Sequence, residues 1–440
     1  MFIEEGEWVR NIFWEKGEFK WWILLLCAYH FFPFITTKGS ILLYIWAYIV
    51  PLAYLALNIN YLKKIVSAII YSEAMIAISG IVLLSCVSIL IPVFHNTGDF
   101  TYFTGAIMTM IKILIRMLFL VVVIVKNIPN ATKETFMKYF IFSCCLYICS
   151  TIIMLIVPSI RSMFWELVKE SESAKAMALE ARYQTRYGWG GFSGFEYTFK
   201  CVMGILFINY LVDINIGVKK VWYWVVTALF LFVGTLFYGR IGSVVAVLIL
   251  LLMLLKLLMR RPKILAVIVV GGVIGIIGLL ILQSRNEAVQ AWFQWAFDLF
   301  VTFIKTGKME TGSTNVLFER MLFIPEIKTM LIGDGLYSTA DGYYMSTDAG
   351  IMRPVLFGGI LFAVLRYLSV YAVLFINCLK EGIKREEKNL YFLLLLICIV
   401  FEVKGEIIFS CLPIFLWLLV IKAYNRREKD GKRIKLKKTD

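Results

Sequence analysis

The sequence predicts an all-α polytopic membrane protein of about twelve transmembrane helices with both termini cytoplasmic, and three observations carry that prediction. Of 440 residues, 60% are hydrophobic and only 17% are charged, with a mean hydropathy of +0.81, whereas soluble domains sit near about 45–50% apolar. Apolar runs recur from end to end, most of them long enough to cross a ~30 Å hydrocarbon core. Lysine and arginine gather on alternate connections between those runs, as the positive-inside rule requires. The whole of 1–440 reads as one polytopic membrane domain.

The twelve expected spans are 20–37, 40–60, 65–94, 102–125, 136–159, 195–216, 221–238, 241–259, 264–283, 354–378, 389–403 and 407–424. The first begins near Trp21 and lacks a small-residue cleavage site after it, so it reads as a retained span rather than a signal peptide. One set of connections carries Lys63–Lys64, Lys126/Lys133/Lys138, Lys219–Lys220, Arg260–Arg261/Lys263 and Lys380/Lys384/Arg385/Lys388. The basic tail 425–440 falls on the same side, and the opposite short connections offer only Lys38, Arg240 and Lys404. The net charge of +15 is therefore explained by topology and by attraction to anionic membrane lipids, with no need of a nucleic-acid partner. All nine cysteines lie in or beside apolar runs and read as small buried hydrophobes, not as a disulfide framework.

Polar chemistry collects in two long external loops, 160–194 and 284–353. The first opens with helical spacing (Phe164, Leu167, Val168, Ala174, Met177) and continues into "RYQTRYGWGGFSG". There Arg182 and Arg186 stand among glycines and aromatics, a composition suited to contacting anions and sugars. The second loop opens on an aromatic belt (Trp292, Phe293, Trp295, Phe297, Phe300, Phe303), which is expected at a membrane interface. Glu319 and Arg320 are expected to begin a short amphipathic helix that Pro325 interrupts. The loop ends in "GDGLYSTADGYYMSTDAGIMRPVLFGGI", whose glycines permit φ > 0 and close backbone approach.

Three further features share the expected outer face. Arg240 sits at the midpoint of a 39-residue apolar stretch, "VWYW…LLM", where two spans must turn within a few residues. "FEVKGEIIF" places Glu402, Lys404 and Glu406 between the last two spans. Arg353 and Asp348 close the second loop. Lys112, Arg116, Lys200 and Arg366 fall inside apolar runs and are expected to face the bundle interior. Arginines with carboxylates at a membrane surface fit a pyrophosphate whose hydrocarbon tail stays in the bilayer, because a guanidinium grips phosphate oxygens in a fork and keeps its charge. The chain has no Walker A sequence, no dinucleotide fingerprint and no HExxH, and its two histidines, His30 and His95, lack supporting ligands. Neither a metal nor a cofactor is expected.

"YGRIG", opening an apolar span, resembles the "SGRTG"-type element of bacterial O-antigen and capsular polysaccharide repeat-unit polymerases (Wzy-type). "GDG" followed by "STDAGIMRPVLFGGI" and then "FEVKGEIIF" is similar to their later external elements, and "RYGWGGFSG" to their Arg- and Gly-rich loop. These motifs fall in the C-terminal part of the chain; the first five spans match only in hydropathy. The resemblance implies a metal-independent glycosyltransferase of the bacterial cytoplasmic (inner) membrane. It would join undecaprenyl-pyrophosphate-linked oligosaccharides at the outer face into O-antigen or capsule, alongside a chain-length regulator and a flippase of the same pathway. On that reading Arg240, with Arg320 or Arg353, holds the leaving pyrophosphate. Asp348 or Glu402 serves as base. Arg182, Arg186 and Lys404 contact substrate, and Tyr343, Tyr344 and Trp189 stack on sugars. Three alternatives remain: an O-antigen ligase, disfavoured because no histidine occurs between residues 96 and 440, a lipid-linked oligosaccharide flippase, which has no need of so long an external loop, and a non-catalytic membrane scaffold.

Overall fold

A computed structural model describes residues 13–15, 17–34, 44–168, 172–214, 221–260, 287–307, 312–339 and 342–436. In chain order the helices are α1 Trp21–Phe31, α2 Ile45–Leu57, α3 Ile59–Ile70, α4 Ala74–Phe94, α5 Tyr102–Asn127, α6 Lys133–Ile156, α7 Pro158–Leu167, α8 Glu172–Leu179, α9 Phe195–Ile214, α10 Val221–Tyr238, α11 Arg240–Arg260, α12 Glu287–Thr306, α13 Gly312–Val316, α14 Ile327–Ile332, α15 Met352–Leu379, α16 Arg385–Lys404 and α17 Ile408–Leu436. Two small antiparallel hairpins interrupt them, Tyr187–Gly188 with Gly191–Phe192 (β1, β2) and Ser338–Thr339 with Gly342–Tyr343 (β3, β4).

Among the described residues seven helices are long and apolar enough to cross a membrane (α4, α5, α6, α9, α10, α11 and α15), or eight if the bent pair α2–α3 is one span. The chain is thus an all-α polytopic membrane protein. Its lipid-facing surfaces are legible directly, because Leu361, Val364, Leu368, Phe375 and Leu379 expose one stripe of α15, and Val82, Leu83, Leu90, Val93 and Phe94 do the same on α4. The expected run 20–37 supplies only an 11-residue helix, and the expected span 264–283 lies outside the described residues. Runs 389–403 and 407–424 form α16 and α17, both carrying charged ends.

One boundary differs from expectation for a clear reason. The run 65–94 is not a single helix, because the chain turns at Tyr71–Glu73 and α4 begins only at Ala74; the 95° bend between α2 and α3 falls earlier, at Asn58 inside the expected run 40–60. In α3, Lys63 and Lys64 are exposed while Ile65 and Ala68 are buried. This amphipathic face makes α3 a helix separate from α4, set at 95° to α2. Within loop 160–194 the helical spacing yields α7 and α8, followed by a 3₁₀ turn, Ala181–Arg186, and the first hairpin. Glu319 and Arg320 do not begin a helix. They lie in the π turn Leu317–Met321 that closes α13, and after it the chain runs extended through Pro325 to α14.

The chain divides into two compact units, Met1–Ala47 with Met137–Thr311, and Tyr48–Phe136 with Gly312–Asp440. In the second unit the helix ends sort into two sets. At one, Lys133 and Lys422 lie 2.9 and 2.5 Å from Glu387, Lys126 donates to Asn58 and Lys64 pairs with Glu428. At the other, the connections 95–101, 333–351 and 405–407 come together around buried arginines.

Candidate functional site

In the second unit, glycines set how closely those connections approach. Gly333 (φ +74) and Gly335 (φ +66) bring the "GDG" backbone onto the start of α15, where Asp334 N donates to Leu356 O (2.8 Å) and Gly335 N to Phe357 O (2.9 Å). A Cβ on Gly333 would collide with the Phe357 carbonyl, and one on Gly359 with the Leu331 carbonyl. "GDG" and "FGG" are therefore two faces of one backbone contact that only glycine permits. A Cβ on Gly350 would lie 2.6 Å from the carbonyl oxygens of both Glu402 and Gly405, so "DAG" is seated on "EVKG" in the same way.

These contacts assemble a buried charge cluster. Arg353, in the first turn of α15, places its guanidinium carbon 3.9 Å from the Tyr337 ring centre and 3.8 Å from that of Tyr343, and its Nη1 donates to Glu406 at 2.5 Å. Arg366 lies 3.3 Å from Glu402 and 3.1 Å from Glu406. A straight helix would set residues 353 and 366 roughly 20 Å apart along its axis, yet both reach Glu406. They do so because Gly359 (φ 76, ψ −179) breaks α15. Tyr337 also donates its hydroxyl to Glu406. Glu402 is 1% exposed and fully engaged: Oε1 accepts from the amides of Ile407 (2.8 Å) and Ile408 (2.6 Å), and Oε2 from Arg366.

Asp348 differs from Glu402. It is half-buried, and its Oδ1 is enclosed without a hydrogen-bond partner among the described residues. Burial pushes its carboxyl above the usual carboxylate range, against the opposing pull of Lys404 and Arg353. Lys404 is half-buried at the end of α16. Tyr343 is exposed, with one face on Arg353, while Tyr344 donates to Asp334 at 3.1 Å. Arg320 is exposed on its π turn.

Arg240 belongs to the first unit. It opens α11 immediately after a turn in which Gly239 and Gly242 leave room for Thr198, whose hydroxyl donates to Gly239 O at 3.2 Å. That close approach explains "YGRIG" in local terms. Arg240 pairs with Asp298 at 2.9 Å and lies 5.0 Å from the Trp295 ring, while Arg186 lies 4.6 Å from the same ring and 4.6 Å from Tyr183. The sequence-predicted Arg186 and Arg240 thus share one tryptophan of the aromatic belt. Arg182 falls in the 3₁₀ turn, with its side chain outside the described residues. Trp189 is a wall element, donating to Phe32 O at 2.8 Å and meeting Tyr147 edge-on.

Of the embedded charges, Arg116, Lys200 and Arg366 are buried as expected, but Lys112 is exposed on α5. Lys200 is held by Glu196 and the Phe31 carbonyl. Sequence reasoning found Arg353 and Glu406 but gave Arg366 no partner and Tyr337 no role. The "FGG" break was the signal that could have joined Arg366 to the cluster. Among the described residues no three His, Cys, Asp or Glu side chains gather as metal ligands would. Compared with protein-family models, curated proteins and solved structures, the chain matches none of them.

Proposed function

We propose that the chain is a polysaccharide polymerase that joins undecaprenyl-pyrophosphate-linked repeat units at the outer face of a bacterial cytoplasmic membrane, within a twelve-span topology. The observation that supports it best is the pairing in the second unit of a ring-clamped, buried Arg353 with an Asp348 whose enclosed oxygen is unbonded and whose carboxyl is raised. A general base needs a free lone pair and a pKa moved toward the working pH. Asp348 meets both requirements, while Glu402 has its oxygens committed to two backbone amides and Arg366 and so serves as a clamp.

In the proposed reaction an acceptor hydroxyl attacks the anomeric carbon of the donor glycan. Its proton passes to Asp348, the glycosidic bond forms, the sugar–oxygen bond to pyrophosphate breaks, and the lipid pyrophosphate leaves. Arg353 and Lys404 meet the charge that develops on the leaving group, and exposed Arg320 contacts the same substrate from its loop. Two substrates each carry a lipid pyrophosphate. The Arg186–Trp295–Arg240 group of the first unit is a separate cationic-aromatic centre, of a kind suited to an anionic lipid headgroup. Tyr343, with an open side, offers a sugar-stacking face.

The test is extension in detergent. Purified protein given only lipid-linked repeat units is expected to produce a ladder of longer lipid-linked glycans without ATP or a membrane gradient. A flippase would move such substrates across a bilayer but leave their length unchanged in detergent. A ligase would require a different acceptor.

A further inference from the structure

The short connection 95–101 between α4 and α5 carries no motif, yet it binds the second long loop at four points. Asp99 is the centre: its Oδ2 accepts the amides of Tyr337 (2.6 Å) and Ser338 (3.1 Å), and its Oδ1 accepts the amide and hydroxyl of Thr101. Thr97 donates its hydroxyl to Gly335 O at 2.7 Å, His95 Nε2 lies 3.2 Å from Ile332 O, and Ser338 Oγ meets Thr101 Oγ1 at 2.7 Å. Gly335 rests on the His95 ring so closely that an added Cβ would lie 2.6 Å from its Cβ. Just beyond, Tyr102 is fully buried, stacked 4.8 Å from Phe357 and edge-on at 4.8 Å to Tyr337. Burial opposes ionisation of Asp99, but these hydrogen bonds outweigh it and hold the carboxyl below its usual range.

We infer that Asp99 is a positioning residue: by fixing the backbone at Tyr337–Ser338 it holds the Tyr337 ring and hydroxyl against Arg353 and Glu406, and so sets where the Arg353 guanidinium meets substrate. The chain of contact is short. Asp99 holds the Tyr337 amide, the Tyr337 ring covers one face of Arg353, and the Tyr337 hydroxyl donates to the same Glu406 oxygen that Arg353 grips. Four donors converge on the two oxygens of one carboxylate. An amide at this position presents N–H either to two backbone N–H groups or to Thr101, and neither orientation satisfies all of them. Asp99→Asn is therefore expected to behave as a loss of function despite equal size, and Asp99→Glu, which keeps both oxygens, to recover part of it.

The inference rests on Arg353 belonging to the substrate-binding machinery, so its test reads two independent quantities on the full-length protein in detergent. The first is amide hydrogen exchange of residues 333–339. Asp99→Asn is expected to speed exchange at Tyr337 and Ser338 by about tenfold or more, the scale of a lost charge-assisted bond, with peptides from α4 and from the span of α15 unchanged. The second is repeat-unit extension, where kcat/KM is expected to fall about tenfold or more and partly return in Asp99→Glu. Thr97→Val removes the bond to Gly335 O and the long one that the Thr97 hydroxyl accepts from the Asp99 amide (3.5 Å), leaves the Asp99 carboxylate in place, and is expected to speed exchange across 333–339 a few-fold. It carries the test if the Asp99 variants do not fold. Wild-type exchange in these variants overturns the latch whatever the enzyme does. Faster exchange with unchanged kcat/KM overturns the positioning role. A wild-type protein that extends nothing refutes the polymerase reading, and the positioning role with it, while the exchange result still decides whether Asp99 holds the loop.

Discussion

Arg366→Met tests the buried cluster at its deepest point. Arg366 is 0% exposed and Glu402 1%, with Nη1 3.3 Å from Glu402 and Nη2 3.1 Å from Glu406. Together with the Arg353–Glu406 pair the cluster holds two cations and two carboxylates, a net charge of zero. Methionine fills much of the arginine stem but leaves one buried negative charge without compensation. Removing one partner of a buried pair costs about 3–5 kcal/mol. The Gly350 carbonyl also loses the Arg366 donor (3.2 Å), although the Tyr367 hydroxyl still donates to it at 3.2 Å. Glu402→Gln in the same chain restores neutrality and leaves an amide oxygen for Ile407 and Ile408. The double variant should therefore be more stable than Arg366→Met alone, with a coupling of about 2–3 kcal/mol between the sites. The assay is the melting temperature of all four proteins in one detergent at one scan rate, since unfolding of a membrane protein is commonly irreversible. A double variant that melts at or below the sum of the two single effects would refute the claim that these side chains stabilise one another as a charge pair.

Four shorter predictions accompany it. A cysteine at Thr97 should react with an impermeant maleimide from outside the cell and one at Asn130 should not; the reverse pattern would overturn the orientation. Asp348→Asn should slow extension by about 10²–10⁴-fold without loss of stability. Its raised carboxyl binds a proton more tightly in the folded chain, so its ionisation opposes folding as pH rises from the ordinary carboxyl value through the raised one. Lys404→Ala, which removes a cation that favours the Asp348 anion, should move the acid limb of the pH–rate profile to higher pH, and an unmoved limb would remove Asp348 as the titrating group. Arg240→Ala should abolish polymer at normal protein level while Arg240→Lys recovers only part, because an ammonium lacks the guanidinium fork; normal polymer in the alanine variant would leave Arg240 as a structural partner of Asp298.

Hydropathy made the membrane class and the seven long apolar helices among the described residues legible, since an apolar run of span length has few other uses. It failed between residues 59 and 73, where the end of one expected run, the connection with Lys63–Lys64 and the start of the next form a single helix turned through 95° from α2. The glycines of "GDG", "DAG" and "FGG" were readable as points of close approach, but what they approach is set by tertiary contact between segments more than twenty residues apart. Arg353 and Glu406 stood out because charges in apolar surroundings are rare. Their pairing with Arg366 did not, because it depends on the break at Gly359. Asp99 gave no signal: its role is to accept backbone amides, which every sequence supplies. Arg240, Arg320 and Arg353 were grouped by expected topology alone, and the fold assigns Arg240 to one unit and Arg320 and Arg353 to the other.

The most direct measurement is the stoichiometry of turnover. Purified protein in detergent, supplied with repeat units on undecaprenyl pyrophosphate, is followed by mass spectrometry for both glycan length and free lipid pyrophosphate. The account predicts one undecaprenyl pyrophosphate released for each glycosidic bond formed, with both products falling together in Arg353→Ala. Folded wild-type protein that neither lengthens the glycan nor releases the lipid pyrophosphate would contradict it, as would extension that Arg353→Ala leaves unchanged.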